Sequence, residues 1–254
     1  MTPSETCLSG FDVWSFSARS LLRPYGKMFL QSVVLRHPFR FLSGLREYRL
    51  RTRPARSMDH AMVGISSWDG LAAEAIGGEW VVGMGFCQKP IEPPCPSGRF
   101  NHRCWFLTRA EGSALPPACR ACQVRDIAER ALPAGAALYA MTSAADIASD
   151  LLLPVLRSGV PRLSLLSVCP YSVPPLTLAM TICGLRGIVQ SYSEGDCRDF
   201  ATWLRADEGD KREQTHLPPA AHTRLLDFLD RVAAARREQP RRYTQQGNLY
   251  VPAR

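Results

Sequence analysis

Five of the nine cysteines fall within 36 residues: Cys87, Cys95, Cys104, Cys119 and Cys122. Thiolates are ligands for soft and borderline cations, and a tetrahedral site needs four of them drawn together. The spacing is Cys87-x7-Cys95-x8-Cys104-x14-Cys119-x2-Cys122, and the last pair alone has the tight loop common to zinc and iron–sulfur ligands. No second such pair completes a zinc ribbon, and the bacterial ferredoxin run is missing. Cys95 is followed by Pro96, as in ferredoxin-type loops where a fixed turn keeps backbone amides aimed at sulfur. Five thiols with one nearby histidine, His102, suit a cluster better than a mixed zinc site. The chemistry implied is an iron–sulfur cofactor of 4Fe-4S type, with zinc as the alternative. A redox dithiol at Cys119 and Cys122 is a third reading, and reduced buried thiols in a surface loop the plainest one.

The Cys95–Cys104 loop also carries Arg99, His102 and Arg103. The arginines would offset thiolate charge or hold an anion, and His102 would be a ligand or a donor to one. Cys169 and Cys197 end or follow strand-like runs, where a parallel sheet binds its ligands, and are expected to add ligands from the sheet side. The loop has too little core to stand alone. It is expected to lie over the same crevice, with Arg99 and His102 facing Tyr171, Glu194 and Asp196 in a pocket of mixed charge. Cys183 reads as a core thiol, and Cys7 has no structural part to play. No dinucleotide fingerprint, Walker lysine or G-x-S-x-G elbow occurs, and no residue can be named catalytic.

What positions these residues is an α/β half. Ala136–Met141, Leu163–Val168 and Gly187–Tyr192 read as strands. Helices follow at Ala144–Arg157, capped by Ser143, at Pro174–Gly184 and at Asp196–Asp207, and a last one spans Ala220–Arg237. Strands separated by helices imply parallel pairing. In the N-terminal part, Leu21, Leu22, Tyr25, Met28 and Phe29 share one face of a helix, and His37-Pro38 breaks it. The expected fold is α/β, a small parallel Rossmann-like sheet with a Cys-rich irregular segment and an N-terminal helical arm. The divisions are 1–57, a basic helical arm; 58–133, the Cys-rich segment; 134–238, the Rossmann-like half; and 239–254, a loose basic tail.

Apolar residues make up 46% and charged residues 21%, a globular balance. The net charge of +8 divides into +7 over 1–57, +5 over 231–254 and −4 between. Of 31 basic side chains only Lys27, Lys89 and Lys211 are lysines. So general an arginine bias reflects base composition, and a nucleic-acid partner is not expected. The basic arm, 11–56, suits packing on the body or peripheral contact with a membrane or acidic partner. The longest uncharged run, Leu163–Leu185, holds three prolines and reads as strand, turn and helix rather than a membrane span. No secretory signal is read at residues 1–20, so a reducing, cytoplasmic setting is expected, where clustered thiols bind metal or do redox chemistry.

Cys119-x2-Cys122 followed by strand–helix units, with Ser167-Val168-Cys169-Pro170 and Gly195-Asp196-Cys197, resembles uncharacterised prokaryotic Cys-rich proteins of a domain-of-unknown-function type. The resemblance covers residues 80–210. It implies iron–sulfur binding and no particular reaction. The function expected is an iron–sulfur protein with a redox or accessory-enzyme role and an electron-transfer or enzyme partner. The alternative is a zinc-stabilised, non-catalytic adaptor whose basic ends bind a partner or membrane surface.

Overall fold

A computed structural model describes residues 12–51, 60–109, 113–195 and 197–253. Cys7 and Asp196 lie outside the described residues. The strands are β1 His60–Val63, β2 Trp80–Gly85, β3 Ala137–Met141, β4 Leu163–Val168, β5 Arg186–Ser191, β6 Tyr243–Gln246 and β7 Leu249–Pro252. They form one sheet in the order β1-β5-β4-β2-β3-β7-β6. The middle four run parallel. β1 on β5, β7 on β3 and β6 on β7 are antiparallel.

The parallel centre follows from composition. β4 is buried at all six residues and β2 at its first five, and strands covered on both faces read as unbroken apolar runs. One face packs Trp80, Val82, Leu138 and Leu165 against the helices Trp68–Gly77, Gln123–Ala131 and Pro219–Ala235. The other packs Val81, Tyr139, Leu166 and Val189 against residues 144–158 and the helix Val173–Cys183. Ser143 caps the first of these with a capping box to Asp146, as its position predicts. The uncharged run resolves into β4, a turn at Pro170–Ser172 and the helix Val173–Cys183. Among the described residues no helix is long and apolar enough to cross a membrane.

The expectation of a small, parallel Rossmann-like sheet is corrected: the sheet has seven strands and is mixed. The antiparallel additions β1, β7 and β6 stand at the two ends of the strand order, where a strand needs one buried face at most and carries little sequence signal. β1 has four residues, and β6 is polar and largely exposed. The tail is therefore not loose. Its hairpin completes the sheet and buries Tyr250.

The arm breaks at His37-Pro38 as expected, and once more before it. Helix Val13–Ser20 ends before Leu22, which is 81% exposed, and Pro24 opens a new helix to Phe29. The five apolar residues do not share one helix. A further helix, Pro38–Arg51, lies on Val173–Cys183 so closely that a Cβ on Gly44 would stand 2.7 Å from Ile182 Cα. Phe16 meets Trp203 edge-on at 5.1 Å and Tyr171 at 6.1 Å, which seats the arm over the carboxyl edge of the sheet.

Candidate functional site: two groups of thiols

The seven cysteines expected as ligands divide into two groups. Cys87, Cys169 and Cys197 follow β2, β4 and β5, three adjacent parallel strands. All three are buried. The Cys169 thiol donates to Cys87 and Cys197. It has one proton for two acceptors and so serves one at a time. Its own proton is held far above the ordinary thiol range, because the thiolate would lose those bonds and lie between two sulfurs. The Cys87 thiol is pulled down to about 7, first by the Cys169 thiol, then by the Thr215 hydroxyl 3.1 Å from its sulfur. Cys197 is lowered by Cys169 and by Lys211, whose Nζ is 3.3 Å from its sulfur.

This first group is held by backbone bonds. The Arg99 guanidinium donates to four main-chain oxygens, those of Cys87, Lys89, Lys211 and Glu213. It thereby ties the turn after β2 to the segment that carries Lys211. Thr215 N–H donates to Cys87 O at 3.0 Å. Beneath them the buried Tyr192 hydroxyl donates to Ser167 O at 2.6 Å and accepts the Gly85 N–H at 2.8 Å. A Cβ at position 85 would come within 2.9 Å of Cys87 Sγ and 3.0 Å of Tyr192 Oη, so any larger residue there would displace the thiol or the hydroxyl.

Cys95, Cys104, Cys119 and Cys122 form the second group. Cys95 acts electrostatically on Cys104 and Cys119, and both of those act on Cys122. The backbone N–H groups of Phe106 and Leu107 lie near the Cys104 sulfur and those of Val124 and Arg125 near the Cys122 sulfur, without closing a capping hydrogen bond. Each stands at the start of a helix, Trp105–Thr108 and Gln123–Ala131, where backbone N–H groups are free to bind an anion. Burial nonetheless pushes Cys104, Cys119 and Cys122 up, the last to about 11. The buried Lys89 ammonium faces Cys95, Cys104 and Cys122. It donates to Asn101 O at 2.6 Å and Oδ1 at 2.9 Å, which fixes the loop. Its pKa is lowered to about 8 by burial, against the pull of the thiols. Tyr250, from the tail hairpin, accepts the Cys104 N–H at 3.1 Å.

The remaining expected site residues disperse. Arg99 stands between the two groups, within electrostatic reach of Cys87 and Cys95. His102 stacks on Tyr139 at 5.5 Å and bonds Ala140 O through Nδ1 at 2.8 Å. Tyr171 belongs to the aromatic seat of the arm. Glu194 bridges to His216, with side chains 3.5 Å apart. Arg99 and His102 are thus engaged with main chain and Tyr139 rather than framing the expected pocket. The N-terminal arm, not the Cys95–Cys104 loop, roofs the crevice.

Sequence reasoning missed Lys89, Lys211, Thr215 and Tyr192. The lysines had a signal: in a chain that otherwise uses arginine, two of the three lysines face one thiol group each. Thr215 and Tyr192 had none. Among the described residues, no group of three or more Cys, His, Asp or Glu is arranged to hold a single metal ion. No family model, characterised protein or solved structure matches the chain.

Proposed function

We propose that the protein is an iron–sulfur protein whose cluster is held by Cys95, Cys104, Cys119 and Cys122, with a redox or accessory-enzyme role. The observation that carries the reading is the group of four thiols that act on one another, three of them facing the buried Lys89 ammonium, with helix-start N–H groups near two of the sulfurs. One ion at ~2.3 Å from each ligand draws sulfurs to within ~4 Å of one another, whereas a cubane spreads them to ~6–7 Å. Thiols that feel each other's charge without being gathered for one ion suit the wider arrangement. Such a cluster would supply one-electron transfer. The chain's own part is to offset the negative charge, through Lys89 and the helix-start amides, and to keep water out through Tyr250 and the loop that Asn101 closes. N–H groups directed at sulfur and a buried cation raise a cluster's potential.

The test is iron and acid-labile sulfide on anaerobically purified and reconstituted protein, with its visible spectrum. The reading requires brown protein with about four irons per chain. Cys104→Ser and Cys122→Ser should each lose the colour. Colourless protein with one zinc per chain would replace the cluster by the zinc alternative. Protein that binds neither would end both.

A further inference from the structure

A cavity of about 390 Å³ lies over the first thiol group. That volume falls in the range of small-molecule sites. Its floor is the carboxyl edge of the sheet, where Cys87, Cys169, Cys197 and Lys211 face it. Phe16 and Phe29 of the arm form the roof, and Leu152 and Leu176 stand in the walls. Trp14 and Leu21 also line it and are 54% and 48% exposed, which marks its mouth beside the arm. Between residues 12 and 51 basic side chains outnumber acidic ones eight to two, and one of them, Arg49, stands over the Trp14 ring of the mouth at 5.0 Å. Apolar walls, sulfur nucleophiles at one end and a cationic mouth describe one ligand chemistry: an apolar chain, an electrophilic carbon, and an anionic carrier that stays outside.

We infer that the cavity takes a medium-chain acyl thioester of a phosphate-bearing carrier, and that Cys87 accepts the acyl group. Cys197 is tied to the Lys211 ammonium, whereas Cys87 is held by the neutral Thr215 hydroxyl and Cys169 thiol and keeps its nucleophilicity. The step is thioester exchange. The Cys87 sulfur attacks the carbonyl carbon, a C–S bond forms there, and the bond to the carrier sulfur breaks with its electron pair leaving on that sulfur. The departing thiolate takes a proton from solvent, and the Cys169 thiol keeps its own. Nothing is oxidised or reduced. Lys211 supplies positive charge at the floor while the carbonyl oxygen is negative.

The full chain is incubated with octanoyl-coenzyme A, and the product is read by intact mass and peptide mapping. The expected result is one octanoyl group on Cys87, labile to hydroxylamine. Acetyl-coenzyme A should react more slowly by upwards of tenfold, since burying two methylenes alone is worth roughly that factor. A neutral octanoyl thioester of N-acetylcysteamine should also be slower, and more so at low salt. Cys87→Ser should remove the label. Ala179→Trp, which puts bulk into the cavity from the helix Val173–Cys183, should reduce it while circular dichroism stays unchanged. No label, a label on another cysteine, equal rates for acetyl and octanoyl, or full labelling of Ala179→Trp would overturn the inference. Iron measured on the same samples reports on Cys95, Cys104, Cys119 and Cys122, so the two readings fail separately.

Discussion

Tyr192→Phe removes one oxygen from beneath the thiols and leaves the ring in place. The hydroxyl donates to Ser167 O at 2.6 Å, accepts the Gly85 N–H at 2.8 Å and stands 3.0 Å from Gln88 Oε1. Tyr192 is buried, and the ring volume is unchanged, so no large cavity opens. What is lost is the partner of two buried backbone groups, each worth ~1–3 kcal/mol when left unsatisfied. The Ser167 carbonyl has a second lone pair, so the Gly85 N–H sets the scale, and the total is about 2–3 kcal/mol. Urea unfolding at neutral pH should show that loss as a lower midpoint with unchanged slope. In a chain of this size it is a drop of roughly 5–10 °C in Tm. The thiols should also become more reactive, because β2 is released just before Cys87. A loss below ~0.5 kcal/mol, the range of substitutions away from any structural feature, would refute the premise that this hydroxyl holds the strand end.

Alkylation of Cys87, followed against pH by peptide mapping, should have its midpoint at about 7, with Thr215→Val moving it upward; a midpoint in the ordinary thiol range would contradict the hydrogen bonds from Cys169 and Thr215. Because the folded value lies below the unfolded one, the stability Cys87 contributes is complete above the ordinary thiol range and is lost as pH falls through about 7. Asp207 is pushed up to about 6 by burial, so its ionised form weighs against the fold, and the stability favouring its neutral form is lost as pH rises through about 6. Asp207→Asn keeps an acceptor for the Ala144 N–H and should stabilise by roughly 1–2 kcal/mol at pH 7.5, a gain that shrinks toward pH 4 in thermal melts. Deleting residues 243–254 should expose the β3 edge, orphan the Cys104 N–H and lower Tm by several degrees. A truncated chain as stable as the full one would mean that the hairpin is dispensable.

Where segments are long, apolar and periodic, local pattern decided the outcome. β3, β4 and β5, the Ser143 cap and the helices that follow β4 and precede the tail lie where the sequence places them, within a few residues. Burial on both faces demands an unbroken apolar run, and a cap demands a particular side chain, so both can be read from neighbours in the chain. The edge strands escaped because an edge is defined by what it pairs with. Tyr243–Gln246 is polar, and only its partner β7 and the β3 edge beyond make it a strand.

The site divides along the same line. The sequence by itself determined that thiols crowd residues 87–122 and that Cys169 and Cys197 stand at strand ends. It also held the clue of three lysines among many arginines. Only the tertiary structure decided that Cys87 leaves its neighbours in sequence to join Cys169 and Cys197, because β2 lies directly beside β4, and β4 beside β5. It alone placed Lys211 and Thr215 against that trio, more than a hundred residues from Cys87, and swung the arm over it through Phe16 and Trp203. Strand order and arm docking are set by the burial of whole faces at once, a property of no single stretch of chain.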